Sequence, residues 1–95
     1  MGRFKATPEV LISKGNSFCK LAEEFEATVR KTYEIVEQLV ESDYKSDDAI
    51  AIATKIKEQK GALDKINQLM NEYGNFCISS GNKVLRTQED IISAA

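Results

Sequence analysis

Apolar residues recur along this chain at helical spacing, in two long runs separated by a short polar stretch. In the first run Leu11, Phe18, Phe25, Thr32 and Leu39 stand seven residues apart. Gly15, Leu21, Ala22, Val29, Ile35 and Val36 fill the positions beside them. The other face carries Lys14, Lys20, Glu23, Glu24, Glu26, Arg30, Lys31, Glu34, Glu37 and Glu41. This apolar stripe is wider than a strict coiled-coil seam. In the second run Ala49, Ile56, Leu63, Met70, Cys77, Val84 and Ile91 keep the same seven-residue spacing, with Ile52, Ile66 and Tyr73 at the companion position. A heptad sustained this long is a stronger helical signal than one amphipathic window. A further apolar set, Leu69, Phe76, Ile78, Leu85 and Ile92, spreads around the far half of this run. One partner helix does not cover all of it.

Local chemistry sets the boundaries. Thr7-Pro8-Glu9 is a helix start: a capping hydroxyl, a proline suited to the first turn, and a carboxylate near the positive end of the dipole. Ser46-Asp47-Asp48 repeats that logic for the second run. Between them, Glu41 to Asp48 is rich in residues that bond back onto their own backbone and compete with helix. The pattern predicts a lead-in over residues 1–6, a helix over 7–42, a turn over 43–46 and a helix over 47–93. Four glycines interrupt the helical pattern, each costing about 1 kcal/mol relative to alanine. A chain reversal near Lys45 sets Gly15 beside Gly74, where missing side chains allow close backbone approach. The alternative is that Gly74-Asn75 or Ser79-Ser80-Gly81-Asn82 breaks the second arm.

The expected fold is all-α, an antiparallel two-helix hairpin about 50–70 Å long at 1.5 Å rise per residue. A lone hairpin cannot enclose a core. Its exposed apolar face is therefore expected to pair with a second hairpin as a four-helix-bundle dimer. The residues expected to form the hairpin or dimer seam are Leu11, Phe18, Phe25, Leu39, Ile56, Leu63, Met70, Phe76 and Val84.

Composition narrows the function. The chain has 95 residues, is 42% apolar and 29% charged, and carries a net charge of -2, so it lacks the basic excess a general nucleic-acid binder needs. It contains no histidine, which removes the commonest general base and the commonest zinc ligand. Glu23-Glu24, Asp47-Asp48 and Glu89-Asp90 are neighbours in sequence, so on a helix they point apart, and no Glu-x-x-His accompanies them. Cys19 and Cys77 have no CxxC spacing and no activating histidine. A disulfide between them needs Cα atoms within about 7 Å, whereas the expected pairing offsets them by about 9 Å along the helices. Packed thiols are the simpler reading. No enzyme, cofactor or metal site is expected. No apolar run approaches a membrane span, and the residues before Pro8 contain no leader-like apolar segment. Mixed charge on the polar faces also disfavours anionic lipid surfaces.

Three features together resemble the WXG-motif family, the small early-secreted-antigen-like proteins of type VII secretion. One is the size, a chain of about a hundred residues that is a bare helical hairpin. Another is the opening Phe4-Lys5-Ala6-Thr7-Pro8-Glu9-Val10-Leu11. The last is the central turn, where Tyr44-Lys45-Ser46 stands in place of the family's Trp-x-Gly. The chain is similar to a divergent member, or to a WXG-like helical partner of a larger LXG-type toxin. The family's C-terminal export signal sets a hydrophobic residue four positions before an acidic one. Leu85 and Glu89 match its relaxed form, with Ile92 following.

The resemblance implies a non-enzymatic protein, made in the cytoplasm and secreted without a cleaved signal peptide. It would be exported as a homodimer or heterodimer with a related hairpin, or would accompany an effector to the secretion ATPase. Tyr44 would then close the turn and share a bipartite signal with a partner's tail. The alternative is a cytosolic helical adaptor or dimerisation module with no export role.

Overall fold

The computed structural model describes residues 6–42 and 46–94. Helix α1 spans Pro8–Glu41, α2 spans Asp47–Glu58 and α3 spans Lys60–Ala94. Among the described residues there is no strand. Thr7 caps α1, its hydroxyl accepting the Val10 N–H at 3.2 Å, with Pro8 in the first turn. Ser46 caps α2 in the same way, accepting the Ala49 N–H at 3.1 Å, and Asp47 and Asp48 occupy the positive end of the helix. Tyr44 and Lys45 of the expected turn motif lie outside the described residues. Ser46 serves as the cap.

The arms run antiparallel and pack along one seam in a constant register. Gly15 meets Gly74, Pro8 and Ile12 meet Gly81, and the Tyr33 hydroxyl donates to the Ile56 carbonyl. Each pairing falls on or close to residue numbers that add to one constant, so the register holds from α2 through α3. It places Gly15 beside Gly74, as the chain reversal implies. The second arm stays helical through Gly74 and Gly81. The break falls elsewhere, so the single helix expected over 47–93 is two. It is interrupted only at Gln59, whose N–H bonds back to Ile56 and Lys57 carbonyls.

The seam sorts apolar residues by size. The buried positions are Gly15, Ala22, Tyr33, Ala53, Gly74, Cys77 and Gly81. Small side chains let the backbones approach closely: a Cβ built on Gly15 would stand 2.7 Å from the Gly74 carbonyl oxygen. Asn67 adds a polar tie, its amide donating to the Ala22 carbonyl. Most larger residues lie beside the seam or outside it. Of those expected at a seam, Leu11, Phe18, Phe25, Ile56, Leu63 and Met70 are half-buried, while Leu39, Phe76 and Val84 face outward.

The result is a single-layer rod of 74 × 30 × 15 Å. Its radius of gyration is 21.0 Å, against about 12 Å for a compact domain of this length. Among the described residues no large side chain is fully buried. The rod has a seam and two broad sides but no enclosed core.

Candidate functional site: an apolar face and a groove at the turn end

The two broad sides differ. On α1, Phe18, Leu21 and Phe25 are three and four residues apart and share one stripe, which continues to Ile35 and Leu39. On α3, Ile66, Leu69, Tyr73 and Phe76 form a second stripe by the same spacing. The rings of Phe18 and Tyr73 meet at 5.1 Å between centroids and tilt at 58°, an aromatic contact across the seam. That contact fixes both stripes on the same side of the rod. Exposure there is high: Leu69 is 51% exposed, Tyr73 57% and Phe76 67%. The opposite side carries Asn16, Glu23, Arg30, Gln68, Asn75 and Asn82, all exposed. The hairpin is therefore two-sided, with one polar side and one apolar side.

At the turn end, α1 and α2 enclose a groove of about 310 Å³. Val36, Leu39 and Val40 line it from α1, and Ala49, Ile50, Ile52, Ala53 and Ile56 from α2. Every lining residue is aliphatic, so the groove offers shape and apolar surface and no group for chemistry. The same two helices are joined by an ion pair, Lys57 Nζ to Glu37 Oε1 at 2.6 Å. Both partners are well exposed, so the pair contributes less than about 1 kcal/mol.

The chain matches no family model, no curated protein and no solved structure.

At the far end, α3 runs past the start of α1. Gly81 lies against Pro8 and Ile12, so about a dozen residues of α3, roughly 20 Å, extend beyond α1. This overhang carries the residues of the C-terminal motif. Leu85 is half-buried, Glu89 is exposed and Ile92 is 75% exposed. Leu85 and Glu89 are one helical turn apart. Ser46, the described residue of the turn motif, and the C-terminal motif thus sit at opposite ends of the rod.

Neither cysteine is bridged. Cys77 is buried in the seam, and Cys19 is half-buried with its Sγ 3.6 Å from Asn75 Oδ1. Among the described residues, no cluster of three or more His, Cys, Asp or Glu is placed to hold a metal ion. Among the described residues no helix is long and apolar enough to cross a membrane. Two contributors escaped the sequence reading. Tyr33 is the largest buried residue, and Asn67 makes the cross-seam amide bond. The signal for Tyr33 was available: it stands four residues from Val29 and three from Val36, on the seam side of α1.

Proposed function

We propose that this protein works by association and not by catalysis: its apolar side takes a second helical hairpin, and the pair serves type VII secretion as an exported dimer or as the targeting partner of a larger effector. The observation that carries the reading is the continuous apolar stripe of half-buried Phe18 and Phe25 with exposed Leu21, Leu69, Tyr73 and Phe76, on a rod one layer thick. The chain exposes 7691 Å², about 2,200 Å² more than a compact monomer of its mass. That excess is of the order that one chain contributes to a large obligate helical interface.

The two ends complement each other. The overhang presents Val84, Ile91 and Ile92, and the turn end presents an aliphatic groove. Tyr73 stands 21 residues after Ile52 in the groove and 18 residues before Ile91 in the overhang. A two-fold axis passing near Phe18 and Tyr73 therefore carries each overhang to the other chain's turn end. Antiparallel hairpins in this arrangement form a four-helix bundle. It would set Ile91 and Ile92 of one chain against the α2 groove of the other, with Leu85 and Glu89 nearer the Gln59 break than Ser46. The secretion role itself rests on the resemblance in the opening residues, the central turn and the C-terminal spacing.

Two measurements test the reading. Light scattering on the purified protein at micromolar concentration is expected to give a dimer, and Phe76→Asp is expected to shift it toward monomer. A stable, folded monomer of the unchanged protein overturns the association. Export is then compared in strains with and without the secretion ATPase. Secretion that does not depend on the ATPase, with no effector recovered in a pull-down, rejects the secretion role and leaves a cytosolic helical adaptor.

A further inference from the structure

The break at Gln59 has no adequate local cause. Lys55-Ile56-Lys57-Glu58-Gln59-Lys60 contains no proline, and Lys, Glu and Gln are good helix formers. The apolar heptad passes through without a change of phase. Gly61 lies two residues beyond, exposed, with open space around it and no positive φ. A glycine there weakens a helix without ending it. Helices that kink without proline do so at glycine–serine pairs, at π-bulges or where a foreign group enters the backbone hydrogen-bond ladder, and at this joint there is neither a serine beside Gly61 nor a π-bulge.

Such a group is present. Tyr33 reaches across from α1, and its hydroxyl donates to the Ile56 carbonyl. The same carbonyl accepts the Gln59 N–H at 3.1 Å, the tighter three-residue bond that closes α2. Leu63 N–H then bonds Gln59 O at 3.0 Å and regular helix resumes. Tyr33 is also the largest of the buried residues, so its ring is held in place by the seam.

We propose that the Tyr33 hydroxyl imposes the break from across the seam, making α2 a separately hinged segment whose position on α1 sets the width of the aliphatic groove. Two polar ties hold that segment: Tyr33 to Ile56 at the hinge and Glu37 to Lys57 one residue further on. Beyond them the contact is apolar and incompletely filled, as the groove volume shows. The hinge rests on the hairpin alone and stands whether or not a second hairpin docks.

The test is residue-resolved amide exchange by NMR on the full chain, comparing the unchanged protein with Tyr33→Phe and Gly61→Ala. Phenylalanine keeps the ring and removes only the hydroxyl. In Tyr33→Phe the ladder is expected to close across Gln59. The amides of Lys60, Gly61 and Ala62 should slow about fivefold, the ratio for one net hydrogen bond, and Gln59 should take helical carbon shifts. In Gly61→Ala the hydroxyl remains, so the break at Gln59 is expected to persist. Joint amides that stay as fast or speed up in Tyr33→Phe overturn the proposal. So does a joint that closes in Gly61→Ala alone, which would assign the break to the glycine.

Discussion

Replacing glycine with alanine inside a helix ordinarily stabilises it by about 1 kcal/mol. This hairpin is expected to reverse that sign at the seam and obey it elsewhere. At Gly61 a Cβ meets nothing within 4 Å, so Gly61→Ala should gain about 0.5–1 kcal/mol. At Gly15 the new Cβ would stand 2.7 Å from the Gly74 carbonyl oxygen and 3.0 Å from the Ile78 nitrogen. At Gly74 it would stand 2.7 Å from Cys19 Sγ and 2.9 Å from the Gly15 carbonyl oxygen. These obstacles include backbone atoms, which cannot swing aside as a side-chain end can. The helices must separate, and overpacking of this kind costs about 1–3 kcal/mol, more than the propensity gain. Each seam variant should therefore lose about 1–2 kcal/mol net. The double variant should lose less than the sum, because the helices need to part only once. Thermal melts followed by circular dichroism, at one fixed protein concentration, read these as shifts of about 4–8 °C per kcal/mol. A Gly74→Ala variant that melts higher, as Gly61→Ala does, would refute the close-approach reading.

Other consequences follow from single contacts. Asn67→Ala removes the amide donated to the Ala22 carbonyl and should cost about 1 kcal/mol in the same melts, whereas exposed Gln68→Ala should change little. Thr7→Ala and Ser46→Ala each remove a cap and should cost about 1 kcal/mol. The Ser46 loss should appear mainly as faster exchange in α2. Maleimide labelling should modify half-buried Cys19 before buried Cys77. In Cys19→Ser the fast phase should vanish, and a fast phase that survives contradicts the seam assignment.

The arms, their starts and their register were legible because each has a local cause. A capping hydroxyl, a proline in a first turn and two aspartates at a helix start act within a few residues. The register follows from where the chain reverses, which is how Gly15 comes to face Gly74. What was hidden depends on contacts across the seam. The break at Gln59 sits in helix-favouring sequence, and the group bonded there is on another helix, 23 residues earlier in the chain. The Tyr44-Lys45 part of the turn motif falls outside the described residues, so the family reading gains nothing from it.

The heptads reported that Gly15 and Phe18 lie toward one half of α1, and Tyr73 and Cys77 toward one half of α3, but not which of them touch inside the hairpin. Hydrophobicity alone favours the large residues inside, since burial scales with apolar area. Geometry reverses that choice. Two helices locked by Gly15 against Gly74 lie too close for a phenylalanine between them, so Phe18 and Tyr73 are displaced to the edge, where their rings meet. Tyr33 apart, a seam of glycine, alanine and cysteine buries little apolar area, and so stabilises the hairpin little against the entropy of ordering two long helices. The large side chains that would supply that stability stand on the outer face. The same small residues that bring the arms together thus leave the larger part of the apolar side chains on the outer face, which is the surface the proposed second hairpin would cover.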